Sequence, residues 1–336
     1  MLFPLLLLCI CYSTNGFGES QMSSKMVVYQ AVVEPNAHGE GPHWDCEEQA
    51  LYFVDIAGKA VHRYHAESST HTFLQLNDSV NVVIPIKGER SKFALGYGRD
   101  ISVLTWDWKT GKYSLVKRFS VENDKPNNRF NDGKADTEGR LWIGTMSVKQ
   151  PAPGEGSLYR VSSDCKLSKQ FNDISISNGI TWSLDEKLMY YIDSPTRRID
   201  VFDYNIKTGA ASGRRKFFAF EENNVRGVPD GMTIDRDGNL WVACWNGSQV
   251  IQISSAGILM SHVELPTDLV TSVAWGGRDL STLYVTTMYI ELDPELRKKQ
   301  PLAGATFAVT GLATAGHSGG QEVSPCFLNN NNDNDF

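Results

Sequence analysis

Six short runs of aromatic and β-branched residues recur along this chain, and their repetition constrains the fold more than any other feature. They are Leu51–Asp55, Phe93–Tyr97, Leu141–Thr145, Met189–Asp193, Leu240–Cys244 and Leu283–Thr287. Their spacing is roughly 40 to 50 residues, the repeat length of a four-stranded propeller blade. Most are followed within a few residues by a second apolar strand, as at Ala60–Tyr64, Ile101–Thr105, Arg198–Phe202 and Gln249–Ile253. Turn formers separate the pairs, among them Asn246-Gly247-Ser248, where both leading residues tolerate positive φ. Others precede the runs, as in Asp136 to Gly139 and Asp235 to Gly238. Helical periodicity is nearly absent; only Pro294 to Gln300 suits a short helical turn. The pattern predicts an all-β chain: a six-bladed β-propeller of four-stranded blades around a central channel, over residues 27 to 318. Closing the ring leaves few exposed sheet edges. Val27 to Val33 is expected to complete the last blade beside Leu283–Val285 and Thr306–Val309.

The ends read differently. Met1 to Tyr12 is almost wholly apolar, no charge occurs before Glu19, and the run is too short to cross a bilayer. Residues 1–16 therefore read as a signal peptide, 17–26 as a linker, and the protein as secreted. A start at Met22 or Met26 would give a cytoplasmic form instead. Residues 319–336, Asn/Asp-rich from Asn329 onward, are expected to be disordered. Cys9 and Cys11 would leave with the signal. Cys46, Cys165, Cys244 and Cys326 are too scattered for a zinc–thiolate site, so they form one or two disulfides or remain buried thiols. Asn77-Asp78-Ser79 and Asn246-Gly247-Ser248 are glycosylation sequons. The formal net charge of −7, with no basic block, argues against nucleic acid or anionic membrane as a partner.

A propeller does not name a function; polar residues that interrupt the repeat must do so. Three segments set one oxygen-bearing side chain beside glycine, about ten residues before an aromatic run: Glu40-Gly41, Asn178-Gly179 and Asp230-Gly231. Asn-Gly and Asp-Gly are ordinary turn dipeptides when met singly. At matching positions of three blades they would face one another across the axis. Two carboxylates and an amide oxygen suit Ca²⁺, Mg²⁺ or Mn²⁺, in a site able to act as a Lewis acid. A fourth polar segment, Asn127 to Lys134, offers Arg129 to anchor a substrate and Asn131 to hold water or a substrate oxygen. No EF-hand loop accompanies them, since Asp235 to Gly238 lacks the twelve-residue pattern.

These segments resemble the regucalcin/gluconolactonase, or senescence marker protein, family. The resemblance rests on Gly39 to Pro42, Asn128 to Lys134, Gly144 to Met146, Ile176 to Gly179, Tyr190 to Ser194, Pro229 to Met232, Leu240 to Ala243 and Val309 to Leu312. Gly39 to Asp45 looks most like the insect branch, which includes insect regucalcins, the anterior fat body protein and luciferin-regenerating enzyme. The resemblance implies one divalent metal, Ca²⁺, Zn²⁺, Mn²⁺ or Mg²⁺, held by Glu40, Asn178 and Asp230. It implies substrate or water contacts from Arg129 and Asn131, and hydrolysis of a small sugar-type lactone. Asp230, a ligand and the carboxylate expected deepest on the axis, is the candidate for the base. A calcium-binding regulator without turnover and a luciferin-regenerating-type enzyme are the alternatives. One position departs: where some members carry a substrate-contacting acid three residues after Gly-Thr-Met, this chain has Lys149, and sugar preference is expected to shift with it.

Overall fold

The computed structural model describes residues 25–317 and 322–328, and these build six four-stranded antiparallel sheets. In blades 1 to 5 the four strands follow one another in chain order from the innermost outward. The inner strands are Gly39–Asp45, Val80–Ile86, Asn128–Ala135, Ser177–Trp182, Val228–Ile234 and Val270–Gly276, and each touches its neighbours in a closed ring. All six aromatic runs fall in the second strands, and the runs themselves are buried almost throughout. β-Branched and aromatic side chains fill the wedges between pleated sheets, which is where these residues gain most from burial.

Blade 6 closes the ring as expected. Its outer strand is Val27–Val32, paired antiparallel with Thr306–Thr310, which in turn lies beside Thr282–Thr287. The first and last strands are thus joined by backbone hydrogen bonds, and no sheet edge of the ring is left at the break. The helical turn is a short helix, Pro294–Lys299, capped by Asp293 accepting from the Glu295 amide. No described helix is long and apolar enough to cross a membrane.

All inner strands start at one end of the ring, the mouth, and finish at the other, the base. Turns at the base use carboxylates as local backbone acceptors. Asp136 takes the Glu138 and Arg140 amides and Asp235 the Asp237 and Asn239 amides, with Gly139 and Gly238 at positive φ between them.

The carboxyl-terminal segment corrects one expectation. Of residues 319–336, those at 322–328 are packed against the base. Val323 pairs with Ile86, and Val323 and Phe327 are buried in the apolar cluster of blades 2 and 3. Cys326 forms a disulfide with Cys165, whereas Cys244 is a buried thiol and Cys46 an exposed one. Two apolar side chains and a cross-link outweigh the polar composition that follows them. Residues 1–24, with the expected signal peptide and most of the linker, and residues 329–336 lie outside the described part.

Candidate functional site

The axial site is made by an irregularity repeated six times. Each inner strand carries one extra residue relative to the second strand beside it, a β-bulge. The bulges lie between Glu40 and His43, Val80 and Val82, Phe130 and Gly133, Ser177 and Ile180, Pro229 and Met232, and Val270 and Ser272. A bulge re-aims side chains that strict alternation would send into a sheet interface. In or beside the bulges stand Glu40, Asn81, Asn131, Asp132, Asn178, Asp230 and Thr271. The glycines that follow site residues answer a packing demand: a Cβ on Gly179 would lie 2.7 Å from the Asp230 carbonyl, and one on Gly231 would lie 2.0 Å from Ser272 Oγ. Adjacent inner strands come this close only where no side chain intervenes.

Two buffers of structure fix the approach to the site. Asp55, ending the second strand of blade 1, accepts from the Ala37 and His38 amides at 2.8 and 2.9 Å, just ahead of Glu40. Asp193 does the same in blade 4, taking the Ser175 and Ile176 amides just ahead of Asn178. The Asn178 amide donates to Ser194 Oγ at 2.9 Å, and Ser194 passes the link to the Pro229 carbonyl at 2.7 Å, one residue before Asp230.

The expected site residues come together. Glu40, Asn178, Asp230 and Asn131 are all at most 7% exposed. Burial, then the facing Asp132 carboxylate, pushes Glu40 up to about 8. Burial holds Asp230 well above the usual carboxylate range; Glu40, Asp132 and Glu291 push the same way, and the neighbouring Asn178 amide opposes them. Burial brings Arg129 down to about 10, against the pull of Glu40, Glu291 and Asp230. Arg129 Nη1 donates to the Phe130 carbonyl at 2.8 Å and to Asn131 Oδ1 at 2.7 Å. Asn131 Nδ2 donates across to the Ser177 carbonyl at 2.8 Å. Both ends of the Asn131 amide are therefore engaged, and its evident work is to hold Arg129 and to join blades 3 and 4.

Several residues at the site were not singled out from sequence. Asp132 adds a third, half-buried carboxylate, and Lys134, brought down to about 8 by burial, faces it and donates to the Met232 carbonyl at 2.8 Å. Burial takes His38 and His43 down to about 3, so both imidazoles are neutral. Glu291 stands at the mouth on a loop pinned to the Ala37 carbonyl by the Tyr289 and Ile290 amides. Lys149 lies exposed beyond the second strand of blade 3. Glu155, near it, contributes its carbonyl to Asn128 Nδ2 and Lys125 Nζ.

Fit to a cation can be tested on these atoms. Asn178 Oδ1 and Asp230 Oδ1 are buried and have no hydrogen-bond partner in the protein, as is true of both amide atoms of Asn81. A buried acceptor left unpaired costs about 1–3 kcal/mol. Glu40 Oε2 accepts only from the adjoining Gly41 amide, at 2.9 Å. Among the described residues no three His, Cys, Asp or Glu side chains gather as a metal cluster; the converging set is two carboxylates and an amide. Unsatisfied hard oxygens beside mutually repelling carboxylates fit a hard divalent cation.

Fold and site define a six-bladed propeller whose inner strands carry a cluster of buried carboxylates and amides. Residues 38–289 match the SMP-30/gluconolactonase/LRE-like region, and the chain belongs to that family. It is 41% identical to regucalcin of Xenopus laevis over 302 residues, covering 87% of this chain and 97% of that protein. It is 40% identical to regucalcin of Homo sapiens over 286 residues, covering 83% and 92%. Among solved structures, a luciferin-regenerating enzyme superposes with a TM-score of 0.84 at 42% identity, covering 89% of this chain and 99% of that one. A calcium-binding protein, regucalcin, from Agrobacterium tumefaciens gives 0.80 at 29% identity, covering 88% and 96%. A gluconolactonase from Xanthomonas campestris, 22% identical with a TM-score of 0.66 over 85% of this chain and 90% of that one, shares the fold.

Proposed function

We propose that this chain is a metal-dependent lactonase acting on a small, sugar-type lactone. The observation that carries the reading is the pair of partnerless buried oxygens, Asn178 Oδ1 and Asp230 Oδ1, set beside Glu40 and within the field of Arg129. Glu40, Asn178 and Asp230 would hold the cation. When bound, it supplies Lewis-acid chemistry: polarisation of the lactone carbonyl and acidification of water.

The chain's own residues do the rest. Arg129 is held by Asn131 and the Phe130 carbonyl through Nη1, which leaves Nε and Nη2 to bind substrate oxygens. Asp230 takes the proton of the attacking water at its carboxylate. A positioned general base is worth about 10² to 10⁴-fold. The neutral imidazole of His38 adds no charge to the mouth.

The test is the initial rate of gluconolactone hydrolysis with Ca²⁺, Zn²⁺, Mn²⁺ or Mg²⁺ and with EDTA. Hydrolysis that needs a metal supports the reading. Calcium binding with no turnover on any lactone moves the assignment to a regulator. The 42% identity to a luciferin-regenerating enzyme favours a second substrate class; turnover in a luciferin-regeneration assay without lactone hydrolysis would establish it instead.

A further inference from the structure

We propose that Asn77 and Asn246 are N-glycosylation sites, both on the mouth face, and that the chain matures in an oxidising, glycosylating compartment. Three observations meet here, none of them part of the axial chemistry.

The first is the setting of Asn77-Asp78-Ser79. It lies on the mouth-face connection between the outer strand of blade 1, Thr70–Gln75, and the inner strand of blade 2, Val80–Ile86. Asn77 is exposed, and only its backbone carbonyl is used, accepting from Lys59 Nζ at 3.2 Å. The second is Asn246-Gly247-Ser248, the hairpin between Leu240–Trp245 and Gln249–Ile253 in blade 5. Asn246 is exposed at φ 56. Neither asparagine amide is tied into the fold, so a bulky substituent on Nδ2 displaces no native contact. Structural asparagines of this chain look different: Asn131 and Asn178 are buried and spend their amides on neighbours.

The third observation is the Cys165–Cys326 disulfide, which fastens the carboxyl-terminal segment to the base across 161 residues of chain. Disulfides of this kind form and persist in oxidising compartments and are rare in the cytosol. Its formation passes two electrons and two protons to a thiol–disulfide oxidant. Sequons are glycosylated in the compartments that supply such oxidants. The two signals are chemically unrelated, yet they ask for the same environment.

In the transfer step, Asn Nδ2 attacks the anomeric carbon of a lipid-diphosphate-linked oligosaccharide. A C–N bond forms, the sugar C–O bond to the diphosphate breaks, and the amide gives up one proton as the lipid diphosphate leaves. The glycans would stand around the mouth, on blades 1 and 5, with the cross-linked base bare.

The test is to express the full chain in an animal cell line and map it before and after PNGase F in ¹⁸O water. The expected result is an isotope-labelled aspartate at 77 and at 246, with a linked Cys165–Cys326 peptide without reduction. Asn77→Gln and Asn246→Gln should each remove one glycan, as should Ser79→Ala and Ser248→Ala, which leave the asparagines in place. Folded protein, from medium or cells, with either asparagine unmodified overturns the two-site proposal. Full glycosylation with Cys165 and Cys326 both alkylated as free thiols overturns the claim about the compartment.

Discussion

Removing the charge of Glu40 should stabilise the metal-free protein and reverse its response to metal. Burial and Asp132 raise this carboxyl from 4.5 to about 8, so the folded chain keeps a proton that the unfolded chain has lost. A raised folded-state value contributes stability that is complete below the unfolded value and is lost as pH rises through the folded one. Between pH 4.5 and 8 the wild type therefore loses about 1.4 kcal/mol per pH unit from this group. Glu40→Gln is nearly isosteric, preserves an acceptor for the Gly41 amide, and does not titrate. In EDTA the variant should gain on the wild type as pH rises, by about 3 kcal/mol at pH 7 relative to pH 4.5. With saturating metal the order should invert, because in the proposed site Glu40 is a ligand that the variant lacks. Metal must also displace the proton, so wild-type affinity should be about 50-fold weaker at pH 6 than at pH 8. Urea unfolding of both proteins at several pH values, with and without metal, reads all of this. Taking the difference between them cancels His38 and His43, whose depressed values act in the opposite sense. A gap in EDTA that does not widen with pH would refute the electrostatic reasoning. Equal metal stabilisation of both proteins would remove Glu40 from the site.

Asp230→Ala should cut metal-dependent lactone hydrolysis by at least about 10² to 10⁴-fold, the usual worth of a general base, while circular dichroism stays native; Asn178→Ala should be milder, because water can replace a neutral ligand. Lys149→Glu should change the ranking of lactones by kcat/KM more than it changes the best rate, and identical profiles across a lactone panel would place residue 149 outside substrate contact. Gly179→Ala should cost about 1–3 kcal/mol by overpacking, since its Cβ would meet the backbone of blade 5 at 2.7 Å; thermal unfolding measures it.

The fold was largely legible because its strongest signal is local. Aromatic and β-branched runs such as Leu141–Thr145 must be buried on both faces, and in the structure they are the second strands. Glu40, Asn178 and Asp230 were legible for a related reason: each interrupts the repeat beside a glycine that the neighbouring blade requires. Other features depend on partners far away in sequence. Asn81 hides in an apolar strand and reads as a tolerated polar residue until its amide proves buried and unpaired. Glu291 sits in an aperiodic loop, and only the pinning of that loop to Ala37 brings it to the mouth. Asp132 lay in plain view within Asn127 to Lys134, but which of that segment's polar residues faces the axis depends on where the extra residue falls. The docking of Val323 and Phe327 was missed because the polar tail after them set the reading of the whole segment.

That extra residue explains how one strand can serve both core and site. The two faces of an inner strand meet the preceding and the following blade, so strict two-residue alternation would give each side chain to one interface or the other. One inserted residue breaks the alternation once, near the mouth, and releases a side chain toward the axis. The remainder of the strand returns to alternation and to the core, as Phe130 and Ala135 do on either side of Asn131 and Asp132. Because the slip is repeated in every blade, polar groups accumulate on the axis without a cavity being cut into any single apolar cluster. The cost falls on the carboxylates: burial pushes Glu40, Asp132 and Asp230 upward together, and facing carboxylates add to it for Glu40 and Asp230. On the proposed function, a cation held there would relieve that desolvation and repulsion, so the discomfort of the metal-free form would supply part of the affinity of the loaded one.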